Sequence, residues 1–250
     1  MVKILKKAIK LFLYFFAPLS NSYRSVLFHT HRYFVCKKYL KNNKSKRLHI
    51  GAGSVAHVGW LGSDLTPKIG KGIIYIDASK KLPFDDNSFD YIYSEHMIEH
   101  ISYESATYML NECNRILKKD GKIRISTPDL DQYLSLFEPG KSKIQEDFIT
   151  YMKKNWLKKF DNDANLPYHI LNLNMHAWGH TYIYCKTTLK QQLINTNFSK
   201  IQDYKNNESS DSTFVDLEMH ANTLEKQMLI EDAVRMVNYE SMNLEASKKS

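Results

Sequence analysis

The sequence predicts an α/β fold built on a mostly parallel β-sheet. Two short runs of β-branched and aromatic residues, 73–76 and 89–93, are separated by a connection rich in Pro and Asp. Buried strands of a parallel sheet have this composition. The first run stops at Asp77 and the second at the polar residues 94–96. Because the ligand crevice of an open α/β sheet lies at the carboxyl ends of its strands, we expect these polar residues to face a binding site.

A glycine-containing turn, residues 51–53, follows an earlier predicted strand, residues 47–50. Its two glycines let the backbone turn tightly and approach a ligand closely. The next predicted strand, residues 60–65, carries Asp64 near its end, where a carboxylate can accept hydrogen bonds from ribose hydroxyls. In an NAD site the acidic residue follows the glycines by about 20 residues, and a helix between them binds the pyrophosphate. The shorter span here favours a nucleoside without pyrophosphate over NAD.

A set of short motifs extends along the same part of the chain. The set comprises Leu48-His-Ile-Gly-Ala-Gly53, Gly59-Trp60, Asp64-Leu65, Leu82-Pro-Phe-Asp-Asp-Asn-Ser-Phe-Asp90, Glu95-His96, Glu99-His100, Glu112-Cys-Asn-Arg115, Asp120-Gly121 and Thr127-Pro-Asp-Leu130. Together they resemble the small class I S-adenosylmethionine-dependent methyltransferases (type 11-like) of a group predicted to act in bacterial surface-glycan synthesis. The resemblance covers about residues 47–235. It implies a Rossmann-like, seven-stranded, mostly parallel sheet with an antiparallel last strand and helices on both faces.

The resemblance also implies S-adenosylmethionine as the cofactor, with its contacts at the strand ends. Two positions depart from the family pattern: His49 stands where an acidic residue is usual, and Val55 stands where a third glycine is usual. Both departures concern the part of the site that holds the methionine end of the cofactor. The implied contact residues are Gly51, Ala52, Gly53, Asp64, Leu65, Asp77, Ala78, Ser94, Glu95 and His96.

The reaction implied by the resemblance is O-methylation of a sugar or glycan precursor, in which a base removes the proton of a hydroxyl. His100 is the predicted base, because it follows the fourth strand and a histidine's ordinary pKa of about 6.5 suits proton removal near neutral pH. Asp129, after the fifth strand, is the alternative, and a purely structural role for His100 stays open. Residues 131–181 break the strand periodicity and predict a helical insertion over the crevice, where substrate choice would be set.

Two histidine pairs suggest a competing interpretation, in which the protein binds zinc. The segment 96–100, His-Met-Ile-Glu-His, matches the H-x-x-E-H pattern of inverted zinc proteases. It directly follows a strand instead of lying within a clear helix, and the methyltransferase resemblance already accounts for it. His176 and His180 are four residues apart and could likewise bind a metal, but packing and hydrogen bonding within a loop also explain this pair. We predict no metal site, and a zinc hydrolase is the weaker alternative. A catalytically weak, methyltransferase-like binding module at the membrane is the other.

The basic charge of the chain is confined to its N-terminal arm. Twelve of the 35 Lys and Arg residues lie within residues 1–47, which contain no Asp or Glu, so the rest of the chain carries 23 basic against 27 acidic residues. Residues 3–10 place four lysines on one helical face and apolar side chains on the other, which is typical of a helix at a membrane surface. The apolar run 11–17 is shorter than the roughly 20 residues of a membrane span. A secretory signal and a helix packed on the domain are the alternatives, and nucleic acid is an unlikely partner.

The remaining pattern predicts one domain with two flanking segments. We divide the chain into a basic amphipathic arm (1–46), a methyltransferase domain (47–235) and a polar tail (236–250). Three cysteines, far apart and odd in number, argue against a disulfide framework and favour a reducing cytoplasm, with attachment at the inner face of the membrane through the arm. The other predicted elements are helices at 22–40, 103–119 and 187–197 and strands at 122–126, 200–204 and 227–234.

Overall fold

A computed structural model of the chain describes residues 26–54, 57–67, 72–160, 163–218 and 230–249. The helix predicted within residues 3–17 and the departure at Val55 lie outside the described residues. Within them, every strand predicted up to residue 204 is present, with shifts of a few residues at its ends.

Seven strands form one sheet. They are β1 Arg47–Ile50, β2 Leu61–Asp64, β3 Ile73–Tyr75, β4 Phe89–Glu95, β5 Leu117–Pro128, β6 Phe198–Tyr204 and β7 Ser241–Lys248. Their order across the sheet is β3-β2-β1-β4-β5-β7-β6. Strands β1 to β5 pair in parallel, whereas β7 runs antiparallel between β5 and β6. This confirms the predicted Rossmann-like sheet with an antiparallel last strand.

The connections are mostly helical. The helices are α1 (residues 26–42), α2 Tyr103–Ile116, α3 Leu130–Ser135, α4 Lys143–Asn155, α5 Leu166–His176, α6 Lys186–Asn195 and α7 Ile230–Glu240, with short 3₁₀ turns at Ile98–His100 and Lys158–Phe160. The side chain of Ser102 caps α2 by accepting a hydrogen bond from the backbone nitrogen of Ser105 at 3.2 Å. The helix ends three residues earlier than predicted, because Leu117 already pairs with Phe89 in the sheet.

Alternating side chains of the central strands face two different environments. Leu48, Ile92 and Ile125 belong to the main apolar core, together with α2 and α6. On the other face, the guanidinium of Arg124 is fully buried and pairs with Glu218 and Glu245 at 2.6 Å each. A buried charge requires such partners, since an unpaired one costs several kcal/mol. The segment 205–218 therefore covers this face both through these polar contacts and through Phe214 and Leu217, which pack against Trp60 and Tyr93.

The Leu-Pro-Phe motif is held by two charged side chains of α2. Glu112 accepts a hydrogen bond from the backbone nitrogen of Leu82 at 2.7 Å. Arg115 donates to the backbone oxygens of Phe84 (2.8 Å) and Leu82 (3.1 Å), and to the carboxylates of Asp86 and Glu112. The most specific motif in the sequence is thus a connection between β3 and β4 that α2 fixes in place.

A second apolar core lies among the helices that follow β5. It contains Tyr133, Phe148, Met152, Ile170 and Met236, all of them buried. These side chains come from α3, α4, α5 and α7, so the predicted helical segment after residue 130 packs on itself and on the helix that precedes the last strand. Most of the described residues between 131 and 176 lie in helices.

The C-terminal prediction was wrong. Residues 230–240 form α7 where the last strand was predicted, and the last strand is β7, within the predicted polar tail. The short apolar run at 228–230 suggested a strand, but residues 231–240 return to a helical spacing. β7 is polar in sequence yet buried, because it pairs with β5 on one side and β6 on the other. Its glutamate, Glu245, is the partner of Arg124.

The second predicted helix of the arm, 22–40, corresponds to α1 in the described range 26–42. Val35, Cys36, Tyr39 and Leu40 pack against the main core. The hydroxyl of Tyr39 accepts a hydrogen bond from the backbone nitrogen of Arg47 at 2.8 Å, which ties α1 to the start of β1. None of the helices within the described ranges has the length and apolar character needed to cross a bilayer.

Candidate functional site

The two glycines of the first turn have different surroundings. Both have positive φ, +76° at Gly51 and +57° at Gly53, where a side chain is strained. A Cβ on Gly51 would lie 2.5 Å from Cγ of Met97, so this glycine allows the segment after β4 to pack against the turn. A Cβ on Gly53 would meet no atom of the described chain within 4 Å. Gly53 therefore borders open space, as a backbone that approaches a ligand must.

Asp64, at the end of β2, holds this turn. Its Oδ2 accepts a hydrogen bond from the backbone nitrogen of Gly53 at 3.0 Å, and its Oδ1 accepts from the nitrogen (2.8 Å) and hydroxyl (3.2 Å) of Thr66. A carboxylate has about four acceptor positions. One remains on Oδ2, and the exposed Thr66 hydroxyl can rotate to free a second. Leu65, 57% exposed, places an apolar side chain beside this carboxylate.

Asp77, directly after β3, caps its own turn. Its Oδ1 accepts hydrogen bonds from the nitrogen (3.1 Å) and hydroxyl (2.6 Å) of Ser79, and Oδ2 lies 3.3 Å from Nζ of Lys80. Partial burial raises the pKa of Asp77, but these hydrogen bonds outweigh burial and lower it. Ala78 packs against the main core. Asp77 is thus a charged, preformed acceptor on the strand next to Asp64.

At the end of β4, two buried hydroxyls have no hydrogen-bond partner among the described residues. They belong to Ser94 and Ser126, which lie on adjacent strands. A buried polar group without a partner costs about 1–3 kcal/mol, so a ligand that bonds to it recovers that energy. Glu95 ends β4 and is half-buried. These positions complete the predicted row of polar residues along one edge of the sheet.

His96 turns away from this row. Its φ is +44°, its Nε2 lies 3.0 Å from the hydroxyl of Ser241, and its Nδ1 lies 3.3 Å from Oε1 of Glu99. Burial lowers the pKa of His96, but the nearby Glu99 outweighs burial and raises it. Burial raises the pKa of Glu99, and the His96 contact more than reverses this. Both ring nitrogens of His96 therefore have protein neighbours, although the resemblance implies a cofactor contact at this position.

His100, the predicted base, lies beside His180. The ring centroids are 5.0 Å apart at an angle of 68°, and the His100 side chain is exposed. His96 and His100 are not one turn apart on a helix, as the zinc-protease pattern requires. Instead, ligand atoms of Glu99, His100 and His180 lie within 4.8 Å of one another, and His96 is outside this group. His176 is exposed on α5 and is also outside it.

Asp129, the alternative base, lies in a different environment. Its carboxylate is 2% exposed and caps α3 by accepting a hydrogen bond from the backbone nitrogen of Asp131 at 3.1 Å. Burial raises its pKa. Together with Lys186 and Asp203, Asp129 lines a cavity of about 360 Å³ beside β6 and β7, on the far side of β5 from β1.

The acidic and hydroxyl groups thus follow the carboxyl ends of the parallel strands. The strand order reverses between β1 and β4, and such a reversal is the usual ligand position in folds of this kind. Residues 64–125 match the protein-family model described as a methyltransferase domain. The matched residues run from the end of β2 into β5 and include Asp64, Asp77 and the end of β4. The chain therefore has a Rossmann-like fold, and its residues 64–125 match a methyltransferase domain.

Two curated relatives share part of this region. One, described as an uncharacterized protein of Methanocaldococcus jannaschii, is 35% identical over 83 residues, which are 33% of this chain and 33% of that protein. A second uncharacterized protein of the same organism is 28% identical over 137 residues, 52% of this chain and 60% of that protein. The chain therefore spans about a third and three fifths of the lengths of these relatives.

Solved structures resemble the chain over most of its length. A SAM-dependent methyltransferase from Archaeoglobus fulgidus has 19% identity, a TM-score of 0.45, and coverage of 90% of this chain and 94% of its own. An S-adenosylmethionine-dependent methyltransferase from Mesorhizobium loti has 16% identity, a TM-score of 0.47, and coverage of 82% and 92%. Likeness at this level carries no information about the activity of this chain, and its fold is established by its own strand order.

The departure at His49 has a structural explanation. The ring stacks on His57 with centroids 5.0 Å apart and packs against Tyr93 at 4.8 Å, and neither nitrogen has a hydrogen-bond partner among the described residues. Burial, with a smaller contribution from His57, lowers the pKa of His49 to about 3. His49 is therefore a neutral aromatic residue on the face of the sheet that also carries Tyr93 and Arg124.

Several side chains near the site were not predicted. The hydroxyl of Thr127 donates to Oε2 of Glu99 at 3.0 Å. The backbone oxygen of Asn174 lies 2.5 Å from Nδ1 of His180. Ser241, at the start of β7, contacts His96. Thr127 and Ser241 lie 28 and 145 positions away from their partners, so no local pattern in the sequence signals these two contacts, whereas Asn174 lies six positions before His180.

Proposed function

We propose that this protein transfers the methyl group of S-adenosylmethionine to a hydroxyl of a sugar or glycan precursor. The observation that carries the proposal is the contact between Asp64, at the end of β2, and the backbone nitrogen of Gly53, in the turn after β1. This contact places the Asp64 carboxylate, a hydrogen-bond acceptor, next to the open backbone of Gly53. These are the groups that recognise the ribose of a nucleoside.

The residues at the site fit a nucleoside that carries no phosphate. No helix follows the glycine turn among the described residues 51–54 and 57–60, so the helix N-terminus that binds a pyrophosphate is absent from this part of the site. Asp64 and Asp77 would accept hydrogen bonds from the nucleoside, and Leu65 would pack on its base. Gly51, Ala52 and Ala78 would contribute backbone and small side chains beside them.

The end of β4 would hold the other part of the cofactor. Ser94 has a buried hydroxyl available for a hydrogen bond, and Glu95 adds a carboxylate at the crevice. His96 would take part through its position after the strand, since its ring is already engaged. When bound, the cofactor would supply an electrophilic methyl group: its sulfur–carbon bond would break as the carbon–oxygen bond forms, S-adenosylhomocysteine would leave, and the acceptor hydroxyl would give its proton to a base.

The acceptor hydroxyl would lie beside His100. This exposed imidazole follows β4, whereas Asp129 follows β5, is buried as the cap of α3 and lines the cavity beside β6 and β7. We therefore propose that His100, in preference to Asp129, promotes the loss of the proton from the acceptor hydroxyl. Trp178, 46% exposed and 5.7 Å from His180 between ring centroids, offers an aromatic surface next to it. Aromatic and polar groups placed together in this way suit the apolar face and the hydroxyls of a sugar ring.

The resemblance of the sequence to the surface-glycan group supports the sugar assignment. Analysis of polysaccharide from cells with and without the protein tests it. We expect mass spectrometry to find one methylated sugar that is lost without the protein and is restored by the parent chain but not by the Asp64→Ala variant. An unchanged set of methylated sugars would rule out this acceptor. Cofactor binding without any methylated product would favour the alternative of a binding module.

We also propose that the basic arm, residues 1–47, attaches the domain to an anionic membrane surface on the cytoplasmic side. In the described part of the arm, α1 exposes Val26, Tyr33 and Phe34 while its other side packs on the domain. Exposed apolar side chains next to uncompensated lysines suit an anionic lipid surface. Such attachment would bring the site close to lipid-linked glycan precursors.

A further inference from the structure

We propose that Glu99, His100 and His180 form a binding site for one divalent transition-metal cation. Each residue offers one ligand atom, and these atoms lie within 4.8 Å of one another. Two imidazole nitrogens and one carboxylate oxygen are a typical ligand set for Zn²⁺ with an open coordination position, and for Fe²⁺ in the facial arrangement. Mg²⁺ and Ca²⁺ prefer ligand sets made of oxygen alone.

His180 is oriented as a metal ligand would be. Its Nδ1 lies 2.5 Å from the backbone oxygen of Asn174. A carbonyl oxygen can only accept, so Nδ1 carries the proton and Nε2 presents its lone pair. Metal-binding histidines are commonly fixed by a hydrogen bond of this kind. The preceding Trp178 has a φ of +56°, which is unfavourable for a bulky residue and often marks a functional site.

Glu99 supplies a charged oxygen from inside the protein. Its side chain is 0% exposed, the Thr127 hydroxyl donates to Oε2 at 3.0 Å, and His96 lies 3.3 Å from Oε1. These neighbours use two of about four acceptor positions on the carboxylate. Two positions remain for a cation. Thr127 and His96 would then fix the direction of the carboxylate, as outer residues do in metal sites.

The two segments that carry the ligands are joined through their backbones. The nitrogens of Thr181 and Tyr182 donate to the backbone oxygen of Glu99 at 2.7 and 3.2 Å. The hydroxyl of Thr181 donates to the backbone oxygen of His100 at 3.2 Å. A metal at about 2 Å from each ligand atom requires ligand separations of about 3.4 Å. His100, exposed at the end of its 3₁₀ turn, has the freedom to make this closure.

A cation at this site would also explain how His100 acts on the acceptor, and this part rests on the proposed function. The open coordination position would take the acceptor hydroxyl. A bound divalent cation lowers the pKa of an oxygen ligand, so the hydroxyl would lose its proton more readily. His100 would then act as a ligand, and the proton of the metal-bound hydroxyl would pass to solvent water at this exposed position.

Isothermal titration of the full chain, freed of metal by a chelator, with Zn²⁺ and with Mg²⁺ tests the site. We expect one Zn²⁺ per chain and no comparable binding of Mg²⁺. His180→Ala and His100→Ala should each weaken Zn²⁺ binding at least tenfold, because each removes a ligand. His176→Ala, which removes an exposed histidine four residues before His180, should bind Zn²⁺ as the parent does. Circular dichroism verifies that each variant is folded.

The outcomes separate this inference from the proposed function. No binding of Zn²⁺ by the folded parent would overturn the site, as would binding that survives both His180→Ala and His100→Ala. Binding of S-adenosylhomocysteine, the product form of the cofactor, is measured on the same samples without metal and should persist in His180→Ala. Zn²⁺ binding without cofactor binding would leave the metal site standing while the proposed function fails.

Discussion

The backbone nitrogen of Gly53 donates a hydrogen bond to Oδ2 of Asp64 at 3.0 Å. This contact links the turn after β1 to the end of β2, two strands that are neighbours in the sheet. The carboxylate is therefore fixed in direction before any ligand arrives. A site that is ordered in advance binds more tightly, because less freedom is lost on binding.

The two glycines of this turn should respond differently to substitution. Both have positive φ, so alanine at either position costs about 1–2 kcal/mol of strain. Gly51→Ala should lower the free energy of unfolding more than Gly53→Ala does, because its new Cβ would lie 2.5 Å from Cγ of Met97. Gly53→Ala should instead weaken cofactor binding, since its Cβ enters the open space. Urea unfolding and titration with S-adenosylhomocysteine measure both effects. Equal losses of stability would show that Met97 does not require Gly51.

Arg115 should be a stability residue. Arg115→Lys removes the bidentate contacts to the Leu-Pro-Phe connection and leaves backbone oxygens of Leu82 and Phe84 without their donor. We expect a loss of about 2 kcal/mol in the free energy of unfolding, measured with urea. Lys119→Ala, at an exposed position four residues away, is the control and should change stability little. A variant as stable as the parent would mean that the connection between β3 and β4 keeps its conformation without the Arg115 hydrogen bonds.

His49 should make the protein sensitive to acid. Its pKa in the folded state is about 3, below the value of about 6.5 expected in the unfolded chain. The unfolded state therefore binds the proton first, and stability falls as pH drops from about 6.5 toward 3, by up to about 1.4 kcal/mol per pH unit. His49→Phe keeps an aromatic ring against Tyr93 and should flatten this slope. The surface substitution His176→Gln should leave this slope unchanged. Unfolding curves at several pH values decide the point.

The arm should govern attachment to membranes. A truncated chain that begins at Lys46 lacks ten of the twelve basic residues of the arm, since Lys46 and Arg47 remain. Basic residues near an anionic surface contribute about 1 kcal/mol each and are screened by salt. We expect the full chain, but not the truncated one, to co-sediment with acidic liposomes, and less so at high salt. Equal binding by both chains, or binding that ignores salt, would exclude the arm as the anchor.

The sequence predicted strands β1 to β4 well, for a physical reason. Strands β1 to β4 are short apolar runs that stop at turn or polar residues, so both their existence and their ends could be read from local composition. The candidate cofactor residues followed from those ends, because parallel strands bring their carboxyl ends to one edge.

The C-terminal part could not be read in the same way. β7 contains Asn243 and Glu245, which are buried only because they lie between two neighbouring strands and, for Glu245, beside Arg124. Its sequence therefore looks like a solvent-exposed tail. The same limit applies to His180, whose neighbour His100 lies 80 positions earlier in the chain. Contacts that depend on distant segments leave no periodic signal.

Binding of S-adenosylhomocysteine to the full chain, measured by isothermal titration calorimetry, tests the central claim most directly. We expect one molecule per chain, and Asp64→Ala should weaken binding about 30- to 150-fold, the equivalent of 2–3 kcal/mol from lost charge-assisted hydrogen bonds. Asp90→Ala, which removes a carboxylate at the opposite end of β4, is the matched control and should bind as the parent does. No binding by the folded parent, or equal binding by the parent and Asp64→Ala, would contradict the assignment of this site.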